Sequence, residues 1–275
     1  MREVELGRRT VPVLGQGTWR LGEKSARRRE EAEALREGVE LGMTVIDTAE
    51  MYGDGATESF LGEALTGIRN RVYLVSKVYP QNSGRGRIER ACEASLRRMR
   101  TDRLDLYLLH WRGSVPLAET IEGMEALKTA GKIGDWGVSN FDTSDMDQLI
   151  KAGGEGCVAN QILYNPTRRN TEYDLLPAIE RRNIVTMAYS PIEQGALPQS
   201  NALAVVAHRY SVTVYQVALA WALRRPHVVA MPKASNLQHV HENAAAAGLV
   251  LQPDDLALID RDFPPPKRRA PLEML

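Results

Sequence analysis

Cysteine is scarce in this chain: Cys92 and Cys157 are the only two in 275 residues. Two thiols cannot build the disulfide framework of a small secreted domain, and neither stands at a metal-ligand spacing. His208, His227 and His241 have no carboxylate or cysteine at ligand spacing either, so no metal is expected. Long apolar runs are missing as well. No stretch approaches the ~18 apolar residues that a membrane span needs. Met1–Thr10 is charged and lacks the apolar core of a signal peptide. Net charge is absent: Lys plus Arg number 35, and Asp plus Glu number 35. No broad field favours nucleic acid, an anionic membrane or a polyanionic partner. These absences predict a soluble, cytoplasmic protein whose partners include neither membrane nor nucleic acid.

What is present is an ordinary globular balance, with 43% apolar and 25% charged residues. The length is close to the ~250 residues of one α/β barrel, which predicts one domain over residues 1–275. Eight short, β-rich apolar runs stand out: Leu14–Trp19, Thr44–Asp47, Val72–Ser76, Leu104–Leu109, Ile133–Val138, Val158–Ile162, Ile184–Ala188 and Val228–Met231. Helical periodicity fills the gaps at Ala26–Leu41, Glu58–Leu65, Ile88–Met99, Ala118–Thr129, Ser144–Ile150 and Glu172–Arg181. It continues at Ala202–Arg209, Val214–Leu223, Leu237–Ala246 and Asp254–Asp260. Ser25 and Thr57 read as helix N-caps, and Gly42 as a helix-terminating glycine. Strict alternation of short strands with helices implies a parallel sheet covered on both faces. The count of eight favours closure into a (β/α)8 TIM barrel. Ahead of it, Glu3–Val13 reads as a β-hairpin around Gly7-Arg8 that closes the bottom of the barrel. Phe263–Leu275, with the run Pro264-Pro265-Pro266 and a Lys-Arg-Arg cluster, reads as an irregular, loosely held tail and an open mouth.

Chemistry-bearing residues recur at one place, the C-terminal end of each strand. They are Trp19, Asp47, Lys77, His110, Ser139 with Asn140, Gln161, Tyr189 with Ser190, and Lys233. In a closed barrel those ends converge on a single mouth. Asp47, Lys77 and His110 are therefore expected to be neighbours, with Tyr52 on the loop just after Asp47. A free tyrosine, with a pKa near ~10, is a poor acid at neutral pH. A lysine cation beside it would favour the phenolate, and a carboxylate would keep that lysine charged. A neutral imidazole can hydrogen-bond a carbonyl oxygen. Together these groups can protonate an oxygen that becomes negative, which carbonyl reduction requires.

At these residues the sequence resembles the aldo-keto reductase superfamily. The motifs are L-G-Q-G-T-W (14–19), V-I-D-T-A-E-M-Y-G (45–53), V-S-K (75–77), L-L-H-W (108–111) and G-V-S-N-F (137–141). They continue with N-Q-I-L-Y-N-P (160–166), A-Y-S-P-I-E-Q-G (188–195), M-P-K-A-S (231–235) and E-N (242–243). Any one is weak; the eight that precede E-N, in order at barrel-strand spacing, are specific, and they span nearly the whole chain. The family is a (β/α)8 barrel that binds NAD(P)H without a Rossmann fold, and no G-x-G-x-x-G occurs here.

The resemblance implies Tyr52 as general acid, Lys77 as the cation that tunes it, Asp47 as the lysine's partner and His110 as the group that orients the carbonyl. Trp19 and Trp111 would line the substrate pocket with Tyr52 and His110. Tyr189 would stack on the nicotinamide, while Ser139, Asn140 and Gln161 hold its carboxamide. Gly17, Thr18, Trp19 and Asp47 would also touch the cofactor. Ser190, Pro191, Ile192, Gln194 and Gly195 would lie along the pyrophosphate. Met231, Lys233, Ala234, Ser235, Asn236, His239, Glu242 and Asn243 would surround the adenosine and its 2′-phosphate. NADPH is the implied cofactor, with NADH a weaker alternative, and a small carbonyl compound the substrate of a monomeric enzyme.

Two departures touch the adenosine end. Many NADPH-preferring relatives carry Arg where this chain has His239, so a bidentate clamp is missing. Tyr215 stands where a smaller residue is common. Elsewhere Trp136 reads as packing, Arg112 as a solvated loop residue and Cys92 as a structural thiol. The competing readings are a catalytically weak, cofactor-binding regulatory or sensor subunit, and a lyase using Lys77 as a Schiff base. The complete four-residue set opposes the first, and a charged Lys77 opposes the second.

Overall fold

The computed structural model describes residues 1–275. Strands β1 (Glu3–Leu6) and β2 (Arg9–Pro12) pair antiparallel across Gly7-Arg8, as the sequence suggests. Eight short strands follow: β3 (Gln16–Gly17), β4 (Val45–Asp47), β5 (Tyr73–Val78), β6 (Leu104–Leu109), β7 (Ile133–Ser139), β8 (Cys157–Leu163), β9 (Val185–Tyr189) and β10 (Val228–Met231). Each pairs parallel with the next in chain order. The ring closes where Leu14 bridges Ala230, with the Gly15 N–H donating to the Ala230 carbonyl and the Gly17 N–H to the Pro232 carbonyl, both at 2.9 Å. Close approach explains the glycine here: a Cβ on Gly17 would sit 2.9 Å from the Met231 carbonyl oxygen. The first strand is shorter than expected: Leu14 makes only an isolated bridge, and pairing ends at Gly17, with the Thr18 N–H giving the last ladder bond to the Asp47 carbonyl.

Ten helices surround the ring: α1 (Arg28–Glu40), α2 (Ala56–Ala64), α3 (Arg87–Arg98), α4 (Leu117–Thr129), α5 (Thr143–Lys151), α6 (Leu175–Glu180), α7 (Asn201–Tyr210), α8 (Val214–Leu223), α9 (Leu237–Ala246) and α10 (Pro253–Asp262). None is long and apolar enough to cross a membrane. Gly42, at φ +91°, ends α1 by the expected route. Its N–H bonds the Val39 carbonyl and the Met43 N–H the Gly38 carbonyl, a paired closure that favours glycine at the left-handed position. The two expected N-caps are corrected. Ser25 opens a separate 3₁₀ turn, Ser25–Arg27, and caps nothing with its side chain. Thr57 lies inside α2 behind Gly55, its buried hydroxyl donating to the Leu21 carbonyl at 2.9 Å. A tertiary acceptor outcompetes the local cap in that case.

Period-two alternation sorts the strand residues onto two sides of the sheet. Val45, Val75, Leu106, Leu108, Val185, Met187 and Val229 fill the barrel, whereas Ile46, Leu74, Tyr107, Leu109, Val138 and Val228 pack under the helices. Trp136 belongs to the outer layer, its indole N–H bonded to Glu125. Val4, Leu6, Val11 and Val13 of the hairpin segment join the inner cluster. The hairpin is tied to the starts of β6 and β7 by an Arg9–Asp105 ion pair at 2.7 Å and an Arg8 N–H to Asp135 bond at 3.0 Å. It therefore plugs the barrel at the end opposite to Asp47, Lys77 and His110.

The tail is irregular after Asp262 but is not loosely held. Arg269 pairs with Asp174 at 3.1 Å, and Glu273 pairs with Arg168 at 2.9 Å and accepts from Asn170 at 3.1 Å. Leu272 packs on the outer core. The tail reaches the loop after β9, because Arg168, which holds Glu273, also pairs with Glu193 at 2.7 Å. Charges far apart in sequence pin the tail beside that loop.

Candidate active site

Asp47 ends β4, Lys77 lies near the end of β5, and the short turn after β4 carries Tyr52. Lys77 is wholly buried. Its ammonium donates to Asp47 Oδ2 at 2.9 Å, to the Thr48 carbonyl at 2.7 Å and to the Tyr52 hydroxyl oxygen at 3.2 Å. An ammonium has three N–H donors, so these acceptors exhaust it. Because Tyr52 accepts from Lys77, its own O–H proton is left free for another acceptor. Asp47 spends its second oxygen on the Gln161 amide at 2.8 Å, and its carbonyl accepts from the Thr18 hydroxyl at 2.8 Å. Sequence neighbours separated by up to 114 positions thus form one hydrogen-bonded chain.

Burial acts to lower the Lys77 pKa, but Asp47 and then Tyr52 outweigh it, so the lysine holds its proton more firmly than usual. The tyrosine differs from expectation. Burial raises the Tyr52 pKa, and the opposing pull of Lys77 does not cancel it. The phenol is therefore firmly protonated at neutral pH. His110 follows β6, its ring edge-on to Tyr52 at 6.2 Å between centroids. Burial and then the Lys77 charge push it down to about 2, so the imidazole is neutral. Its Nδ1 is buried without a partner.

Around the chain lies a set of amides and hydroxyls. Asn140 donates to the His110 carbonyl and to Ser139 Oγ, both at 3.2 Å, and Ser139 Oγ donates to the Gln161 carbonyl at 2.9 Å. Tyr189 donates to Asn140 Oδ1 at 3.0 Å. Trp111 packs on His110 and edge-on to Tyr79. Trp19 is the more open ring and stacks under Arg20, 4.3 Å away. Arg112 folds back on the carbonyls of Gly113 and Val115, away from the site.

The loop after β9 adopts unusual backbone: Ser190, Glu193 and Gln194 all have φ between +46° and +55°, and Asn140 has φ +58°. Such residues persist only where the surroundings enforce them. Here Asn165 donates to the Ser190 carbonyl and to Glu193, and Arg168 pairs with Glu193 at 2.7 Å. Tyr215 closes the far end by donating to the Gly195 carbonyl at 2.8 Å. Pro191 is buried and Ile192 packs against the inner core, whereas Gln194 and Gly195 are exposed. Met231, the last residue of β10, is buried; beyond it Lys233 is exposed, and Asn236 caps α9 by accepting from the His239 N–H at 2.9 Å. Ala234 is half-buried, Asn243 is buried, and Glu242 accepts from Gln238 at 2.9 Å.

These groups fit a nicotinamide dinucleotide. An amide-and-hydroxyl set stands at one end beside the orphaned His110 nitrogen, and Lys233 with Ser235 stands at the other. The site residues that sequence reasoning passed over are Thr48, Tyr79, Arg168 and Glu193. Thr48 and Glu193 lie inside quoted motifs. Tyr79 and Arg168 each lie two residues past a quoted motif, and that proximity was the available signal.

Residues 13–261 match the model of the aldo/keto reductase family. The chain is 48% identical to methylglyoxal reductase YeaE of Escherichia coli K12, with 97% of this chain and 96% of that protein covered. It is 31% identical to the glyoxal reductase of Bacillus subtilis, with 91% and 88% covered. An aldo/keto reductase of Klebsiella pneumoniae, solved with NADP and acetate, superposes with a TM-score of 0.97 at 49% identity, covering 99% of both chains. A Klebsiella pneumoniae structure with NADPH gives the same score and identity over 100% and 99% of the two chains. With the family model covering most of its length, this chain belongs to the aldo/keto reductase family.

Proposed function

We propose that the protein reduces small reactive aldehydes and α-dicarbonyl compounds, methylglyoxal among them, with NADPH. The carrying observation is the buried Asp47–Lys77–Tyr52 chain, which leaves the Tyr52 proton free at the mouth of the barrel. The substrate class is supported by the methylglyoxal and glyoxal reductases that the chain resembles. Tyr189, Ser139, Asn140 and Gln161 would hold the nicotinamide end, and Lys233, Ser235, Asn236 and His239 the adenosine end. The reduced coenzyme supplies the hydride that goes to the carbonyl carbon.

Tyr52 hands its proton to the carbonyl oxygen as negative charge develops there. A firmly protonated phenol is a ready reservoir at neutral pH, and Lys77 acts on what remains: it stabilises the phenolate left after transfer. Asp47 keeps Lys77 charged and, through Gln161, joins the acid to the amide set. His110 stays neutral, so its ring can donate to the carbonyl without adding a competing charge. Trp111 and Tyr79 offer a small aromatic wall. The raised Lys77 pKa opposes a neutral, Schiff-base-forming amine. We also read residues 1–275 as one domain acting as a cytoplasmic monomer, with NADH the weaker coenzyme.

Tyr52→Phe keeps the ring and removes the proton. Turnover of methylglyoxal, followed as loss of NADPH absorbance, should fall by at least about 10²-fold, while NADPH binding is retained. Wild-type turnover in that variant would refute the mechanism.

A further inference from the structure

Arg27 ends the 3₁₀ turn that follows β3, on the opposite side of the barrel seam from β10. Its Nη2 donates to Ser235 Oγ at 3.0 Å, a contact between residues 208 positions apart. The carboxylates of Glu30 and Glu31 come no nearer than 3.7 Å and 3.9 Å, both at Nε. Those separations exceed the ~2.7–2.9 Å of a charge-assisted bond, and the buried Glu31 already accepts the Gly22 N–H at 2.8 Å through its other oxygen. The guanidinium thus hydrogen-bonds a hydroxyl and no carboxylate. Ser235, accepting from Arg27, keeps its own hydroxyl proton to donate.

Lys233 stands in the same corner. Burial lowers its pKa, with Arg27 and Arg20 pushing the same way against Glu31 and Glu23. Two cations and a hydroxyl therefore share a corner, open to solvent at Lys233, whose carboxylates form no hydrogen bond with Arg27. His239 is a poor substitute for a guanidinium there: its Nδ1 lies 3.2 Å from the Asn236 amide, which leaves one ring nitrogen.

We propose that Arg27 recognises the 2′-phosphate of NADPH, taking the place of the arginine that position 239 lacks. This rests on the NADPH reading above. A phosphate dianion lodged between Arg27, Ser235 and Lys233 would accept the forked Nη donors, the hydroxyl proton and the ammonium. NADH presents a neutral 2′-hydroxyl at that position and gains nothing from Arg27.

The test is binding, read by quenching of tryptophan fluorescence with NADPH and with NADH, without substrate. In Arg27→Gln the NADPH affinity should drop about 10- to 100-fold, the range for one lost hydrogen bond to a charged group, and NADH should bind as to the wild type. Arg27→Lys should recover part of the loss, since a point charge replaces the fork. Arg29→Gln, two residues further on and fully solvent-facing, should change neither. The assignment is overturned if Arg27→Gln leaves NADPH binding intact, weakens both coenzymes alike, or is matched by Arg29→Gln. A wild-type protein that binds neither coenzyme would instead overturn the dinucleotide reading, and this assignment with it.

Discussion

Asp47→Asn preserves shape and deletes one charge, so it tests the buried pair directly. In the native protein Lys77 has Asp47 as its only ion-pair partner, at 2.9 Å and out of contact with water. Removing one partner of such a pair costs about 3–5 kcal/mol, because the surviving charge stays buried and uncompensated. At about 2–4 °C per kcal/mol for a chain of this size, the unfolding midpoint should fall by about 6–20 °C. Lys77→Met should be destabilising for the mirror-image reason, leaving Asp47 with the Gln161 amide alone. The double variant, Asp47→Asn with Lys77→Met, carries neither charge. Replacing a whole buried pair by uncharged groups of similar volume is commonly neutral or stabilising, so its midpoint should return close to the wild-type value. Activity should not return with it. All three variants should turn over methylglyoxal at least about 10²-fold more slowly, since two of them lack the cation that stabilises the Tyr52 phenolate and Asp47→Asn lacks the carboxylate that holds Lys77 charged and in place. Thermal unfolding by circular dichroism and NADPH oxidation on the same preparations check both halves. A double variant as unstable as the worse single one would refute the reasoning, as would an Asp47→Asn protein that melts with the wild type.

Two further outcomes follow from the site. His110, held at about 2, lies below the ~6.5 of an unfolded histidine. The unfolded chain therefore binds the proton first as pH falls, and the associated stability is complete above about 6.5 and is lost progressively toward 2. Between pH 7 and 5 the loss is about 2 kcal/mol, and His110→Gln should abolish that difference in urea unfolding; equal losses in both proteins would refute the depressed value. Deleting Leu272–Leu275 removes the Glu273–Arg168 pair and the packing of Leu272 on the outer core. The KM for methylglyoxal should rise with kcat little changed, and bulkier ketones should become substrates. An unchanged size preference in steady-state kinetics would show that the tail is not a wall of the pocket.

The strand pattern and the ends of the strands were legible because both depend on local alternation. Val45, Val75 and Leu106 point inward for the same reason that Asp47, Lys77 and His110 meet at one rim. Features set by distant partners were not legible. Thr57 looks like a cap until Leu21 offers its carbonyl, and the Pro- and Arg-rich tail looks loose until Arg168 and Asp174 pair with it. The direction of the Tyr52 shift was also hidden, because it depends on whether burial or Lys77 prevails. Arg27 carried no motif at all; only closure of the ring brings it to Ser235.

Closure of that ring bears on how the chain is made. Leu14 and Gly17 find their partners at Ala230 and Pro232, so the seam joins the first barrel strand to the last one synthesised. Contacts that span so much sequence form slowly, since loop-closure entropy opposes them until late. While the ribosome is still translating residues before Val228, β3 and β9 are open edges inviting mispairing. The corner holding Arg27, Lys233 and Ser235 cannot exist in that nascent chain. Completion of the barrel and completion of this anion-binding corner are therefore one event.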